Sequence, residues 1–231
     1  MTAAKLPPML RQMLVSGGLL AVFGMAGALL LAASHAVTAP QIAANVQATL
    51  ERQLHAVLPA DRYSNAITED TLRITDSEWL DALGTREPVT VYRARRDGQP
   101  TAAVFDITTP QGYSGDIRLL IATDLSGTIT GVRAVSHRET PGLGDKIDLA
   151  KTDWILAFNG RSLGNPPAED WEVKRDGGVF DQFSGATITP RAVVRQVARV
   201  LGFFEAHQRQ LFEGGMGAAP NAADSNGTAS S

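Results

Sequence analysis

Cysteine is absent from this 231-residue chain, which excludes thiol nucleophiles, disulfide staples and cysteine-ligated iron–sulfur clusters. Histidine is scarce, with four scattered positions, so neither a metal centre nor a haem is expected. A basic excess is missing too. The 21 Lys and Arg face 24 Asp and Glu, for a net charge of −3, and with the two signs interspersed there is no electrostatic case for a nucleic-acid partner. No catalytic triad, paired-carboxylate site or phosphate-cradling loop can be picked out, and Ser184 has no evident histidine partner, so hydrolase chemistry is disfavoured.

Apolar length, in contrast, is plentiful. Hydrophobic residues make up 44% of the chain, ample for a core of ordinary domain size. Residues 13–33 (MLVSGGLLAVFGMAGALLLAA) carry no charge, and at ~1.5 Å rise per residue such a run crosses a hydrocarbon core of roughly 30 Å. Lys5 and Arg11 precede it, and no acidic residue occurs before Glu51. The positive-inside bias therefore places residues 1–12 in the cytoplasm and the remainder outside it. A cleaved signal peptide is the alternative, since Ser34-His35-Ala36 is a passable cleavage site, but the apolar run exceeds the usual h-region. Gly17, Gly18, Gly24 and Gly27 would let another helix approach this anchor closely.

Beyond the anchor, Pro40 is expected to open a juxtamembrane helix over 40–58, with Ile42, Val46, Leu50, Leu54, Val57 and Leu58 at helical spacing. A domain over 60–212 follows. Its short β-prone runs are 71–75, 89–94, 101–108, 117–123 and 129–136, and the separators Asp97-Gly98, Gly112-Tyr113-Ser114-Gly115 and Ser126-Gly127 favour hairpins. A helix over 149–158, a strand over 171–174 and a final helix from Pro190 to about Leu211 complete an α+β fold: an antiparallel sheet with packed helices, preceded by one transmembrane helix. In the last helix Val193, Val194, Val197, Leu201 and Phe204 form the stripe expected to pack on the sheet. Residues 214–231 are small and polar, and are read as a disordered tail.

Two segments carry candidate chemistry. In the first, Asp181-Gln182-Phe183-Ser184-Gly185-Ala186-Thr187-Ile188-Thr189-Pro190, the Thr-Pro pair reads as an N-cap and first turn, placing Thr187 just ahead of a helix N-terminus. Unpaired amides and the positive end of the helix dipole suit a phosphate there, with Arg191 adding charge from the first turn. An ordinary Ser/Thr-rich turn is the plainer reading. The second, His137-Arg138-Glu139-Thr140-Pro141-Gly142-Leu143-Gly144-Asp145-Lys146, is shaped by one proline and two glycines. Glu139, Thr140 and Lys146 offer an acceptor, a hydroxyl and a cation, and Leu143 could cover a ring face. A simple strand-to-helix connection fits equally.

Taken together, these residues resemble the G subunit of the Rnf electron-transport complex, also called Rsx. The resemblance rests on Gly112-Tyr113 with Gly115 and Ile117, on HRETPGLGDKI from His137 to Ile147, on Asp153-Trp154, and on WEVKRDGG and FDQFSGATITPRAVV between Trp171 and Val194. It implies FMN joined through its phosphate to Thr187 by a phosphoester, with Ser184, Gly185 and Ala186 around the phosphate and Glu139, Thr140 and Leu143 on the flavin side. It implies that Asp181 belongs to the pattern read by a flavin transferase, and that His137 is either functional or a plain surface side chain. It further implies a redox subunit of a translocase in the bacterial inner membrane, with its main domain periplasmic. Such a subunit has no catalytic site of its own, and partner subunits exchange electrons between ferredoxin and NAD, coupled to ion movement. The alternatives are the C subunit of a sodium-translocating NADH:quinone reductase and a cofactor-free membrane scaffold.

Overall fold

The computed structural model describes residues 8–213, so Met1–Pro7 and the tail reading of 214–231 lie outside the described residues. The chain divides into two units, one ending at Thr49 and the other beginning at Leu50. In the first, the helix α1 (Pro8–Val57) is assigned without a break at Pro40, so no second helix opens there. It is one helix long and apolar enough to cross a membrane. Within the first unit its large side chains Leu20, Phe23, Leu30 and Leu31 are exposed, as an apolar stretch that meets no protein core leaves them.

The second unit is built on period-two alternation. Five strands, β1 (Thr71–Ile74), β2 (Val89–Arg96), β3 (Gln99–Gly112), β4 (Gly115–Asp124) and β5 (Ile129–Ser136), pair antiparallel in sequence order. The β2–β3 turn has Asp97 and Gly98 both at positive φ, 52° and 77°, the conformation that a two-residue type I′ hairpin demands. Along the registers, Val91 faces Phe105 and Phe105 faces Ile121 on one side of the sheet. Tyr92 faces Val104 and Val104 faces Ala122 on the other. The sheet therefore has two apolar faces, and each needs a cover.

The first face is covered by α3 (Ile188–Glu213). Its stripe Val193, Val197, Leu201 and Phe204 is buried, and Phe105 meets Phe203 and Phe204 edge-on at 6.4 and 6.3 Å. At its C-terminal end the carbonyls of Leu211 and Phe212 accept from Arg93 and Arg95, both of which are bridged by Asp70. Otherwise unpaired helix-end groups are thus satisfied from β2. The opposite face is covered by the end of α1, where Leu54, Val57 and Leu58 are buried with Tyr92, Ala94, Val104, Leu120 and Ala122. Gly131 allows this: a Cβ there would lie 2.7 Å from the Val57 backbone.

Three expectations change. The helix over 149–158 contracts to a 3-10 turn at Asp153–Phe158, capped by the Thr152 hydroxyl, while Leu149 is exposed. The strand over 171–174 reduces to a single bridge between Val173 and Phe180, because the chain folds back at Gly177 and Gly178 around an aromatic cluster. There Phe158 stacks on Phe180 at 4.7 Å and Trp171 lies 5.1 Å from Phe180. A helix not expected from periodicity, α2 (Ser77–Leu83), has Asp76 as N-cap and Gly84 at its left-handed C-cap. Both residues are standard end signals.

Candidate functional site

Three segments far apart in sequence meet at one end of the sheet: the β3–β4 hairpin tip, the loop leaving β5, and the start of α3. Between them opens a cavity of about 330 Å³ lined by Tyr113, Glu139, Thr140, Leu143, Gly144, Gly185, Ala186, Thr187, Ile188 and Thr189. The loop after β5 folds on itself because the Thr140 carbonyl accepts from the amides of Leu143 and Gly144, both at 3.1 Å. This turns Leu143 outward, 40% exposed. From the other side, Phe183-Ser184-Gly185-Ala186 makes a tight turn closed by the Ala186 amide on the Phe183 carbonyl at 3.1 Å. Gly185 sits at φ 80°, a conformation that glycine adopts at little cost. A Cβ on Gly185 would lie 3.4 Å from Leu143 Cδ2, so the turn and the loop approach closely at that point.

The start of α3 lies two residues earlier than the sequence expectation. The helix begins at Ile188, and the Thr187 carbonyl accepts the first intrahelical bond, from the Arg191 amide at 3.3 Å. Thr187 therefore takes the N-cap place that the Thr-Pro pair suggested for Thr189. Pro190 falls deeper in the first turn, where its missing N–H costs nothing. Ile188 and Thr189 present first-turn amides with no intrahelical acceptor. Thr187 is half-buried and lines the cavity, and among the described residues no side-chain hydrogen bond engages its hydroxyl.

Thr189 is instead fully buried, and its hydroxyl donates to Glu139 Oε2 at 2.6 Å. The other oxygen, Glu139 Oε1, accepts from the Ser114 amide at the hairpin tip at 3.1 Å. One buried carboxylate thus ties together all three segments. Two glycines make room for it: a Cβ on Gly112 would stand 2.6 Å from Glu139 Oε1, and one on Gly144 would stand 2.6 Å from Oε2.

Other expected residues lie elsewhere. Arg191 does not supply charge to the cavity; it makes a bidentate pair with Asp176, and the guanidinium's hydrogen bond holds the Asp176 carboxyl below its ordinary range. Lys146 and Ser184 are not among the lining residues. Asp181 is exposed and paired with Lys174 Nζ at 2.6 Å. The Trp154 indole donates to its carbonyl at 2.7 Å, anchoring the lead-in to the Ser184-Gly185 turn. His137 Nδ1 accepts from the Glu139 amide at 3.3 Å, a local loop bond. Sequence reasoning missed Tyr113, Gly144 and Ile188 as lining residues; Tyr113 and Ile188 are 68% and 45% exposed, a departure from burial that only the fold reveals. A second cavity of about 380 Å³ lies at the opposite end of the sheet, near Arg62, Arg96 and Ser126, but none of the motif residues reaches it.

Comparison with known proteins agrees with this convergence. Residues 112–202 match the FMN-binding domain family, and residues 9–57 match the RnfG N-terminal region. The chain is 44% identical over 196 residues to a Vibrio cholerae protein named as the G subunit of an ion-translocating oxidoreductase complex, covering 85% of this chain and 92% of the relative. Proteins of the same name from Shewanella loihica and Pseudoalteromonas atlantica are each 42% identical, covering 88% of this chain and 94% of theirs.

Proposed function

This chain belongs to the family of G subunits of ion-translocating oxidoreductase complexes, and on that premise we propose that it carries an FMN esterified through its phosphate to the Thr187 hydroxyl. It is an electron-transport subunit with an FMN-binding domain and one helix able to span a membrane. The observation that supports the ester is the state of Thr187: a helix N-cap residue that lines the cavity and whose hydroxyl no side-chain hydrogen bond engages among the described residues. The residues present fit the group. The first amides of α3 and the positive end of its dipole would suit a phosphoryl on Thr187. Gly185 and Ala186 leave that approach open, while Leu143 and Tyr113 supply apolar surface for a ring system.

When bound, FMN supplies transfer of electrons singly or in pairs. The chain's part is to hold, orient and shield it, with Thr187 as anchor and no proton-transfer residue required. An ester suits a compartment in which a dissociated cofactor would be lost. Asp181, exposed two residues before the turn, is the side chain a flavin transferase would read. The domain is periplasmic in this proposal, and electrons pass between partner subunits that exchange them with ferredoxin and NAD. The match to the RnfG N-terminal region favours this branch over its quinone-reductase counterpart, and the FMN-binding match disfavours a cofactor-free scaffold.

The test is denaturing electrophoresis of the chain co-produced with a flavin transferase, read by in-gel flavin fluorescence and intact mass. The wild type is expected to fluoresce and to gain the mass of an FMN phosphoryl adduct, and Thr187→Ala to show neither. A dark wild-type band beside a fluorescent control substrate of the same transferase would refute the ester.

A further inference from the structure

We propose that Glu139 is a fixed negative charge built into the wall of the flavin cavity, which lowers the reduction potential of the flavin held there. The inference rests on the FMN reading above but concerns what tunes the cofactor and not what attaches it. Among the residues that line the cavity, Glu139 is the only one with an ionisable carboxylate, and no Lys, Arg or His accompanies it. It is 5% exposed. Both oxygens are engaged, Oε1 by the Ser114 amide and Oε2 by the Thr189 hydroxyl. No guanidinium or ammonium bonds to it among the described residues. The adjacent Arg138 is exposed, and Arg191, in the first turn of α3, is committed to Asp176.

Such a charge is held by neutral dipoles alone, so its field reaches the cavity without a paired cation to cancel it. Reduction adds electrons to the flavin, and a neighbouring negative charge disfavours that addition. Glu139 is also a positioning residue, since it joins the hairpin tip to the first turn of α3, two residues after Thr187. The two roles are separable. In Glu139→Gln the amide oxygen can accept from the Ser114 amide while the NH2 donates to the Thr189 hydroxyl, so both links survive and only the charge is lost. Glu139→Asp keeps the charge and shortens the reach.

The experiment is a spectroscopic redox titration of the flavin-loaded full-length protein in detergent, comparing wild type, Glu139→Gln and Glu139→Asp. The expected result is a more positive midpoint in the Gln variant, equivalent to an increase of roughly twofold to tenfold in the reduced-to-oxidised ratio at fixed potential. The Asp variant should stay near wild type. Equal midpoints in wild type and Gln variant, with flavin attached in both, overturn the proposal. Should the Gln variant take no flavin, the charge is read instead in Thr187→Ala protein with and without Glu139→Gln, by titration with dissociable FMN and uncharged riboflavin. A gain in FMN affinity relative to riboflavin supports the fixed charge, and an unchanged ratio overturns it. A wild-type protein without attached flavin contradicts the ester reading and leaves this second comparison intact.

Discussion

At the residue scale the site depends on atoms that are not there. Gly112 and Gly144 pack against the two oxygens of Glu139, and a methyl group on Gly144 would also come within 2.8 Å of the Thr189 hydroxyl. Gly144→Ala is expected to destabilise the folded domain by about 1–3 kcal/mol, as overpacking does, and to lower flavin loading. Gly164→Ala, whose added methyl would meet nothing within 4 Å, should stay within about 0.5 kcal/mol of wild type. Urea denaturation of both variants checks the pair. That Gly185 turns and Thr187 stands at a helix start was legible in the sequence because such signals are local, whereas the pairing of that turn with the loop of Glu139, Thr140 and Leu143 was implied only by the family resemblance. The role of Thr189 was not, since a Thr-Pro pair fixes a first turn but not its register: proline fits several first-turn positions. Nor could composition reveal that Glu139 would be buried with both oxygens occupied, because its partners lie 25 and 50 residues away.

At the element scale, the strands were legible and the belt between β5 and α3 was not. The run 129–136 coincides with β5, and β3 and β4 extend beyond their expected cores, because alternation is a local signal that tertiary packing reinforces. Residues 149–180 form short 3-10 turns around Phe158, Trp171 and Phe180, whose mutual packing decides the path with no periodicity to read. The end of α1 is the element whose loss should cost most. Leu54 is fully buried against the far face of the sheet, and Leu54→Ala should destabilise the domain by about 2–5 kcal/mol. A fragment of residues 50–213 should therefore unfold at higher urea than one of 60–213, which leaves Tyr92, Val104 and Leu120 uncovered. Guanidinium or urea melts of the two fragments measure the difference.

At the scale of the whole molecule, one apolar helix and one domain make a tethered redox protein. Lys5 and Arg11 before the apolar run, with no acid until Glu51, lead to an expected orientation with the domain outside the cytoplasm. Protease added to spheroplasts should remove the domain, while inverted vesicles should protect it; the reverse pattern would contradict that orientation. The meander also dictates an order of assembly. Each of β2 to β5 pairs with the strand made just before it, so a chain emerging N-terminus first can zip its sheet progressively from near-neighbour encounters, the kind that close fastest. Only α3 must wait, and Thr187 stands at its threshold. On the ester proposal the attachment point comes into being last, so a cofactor joined there would mark chains that have finished folding.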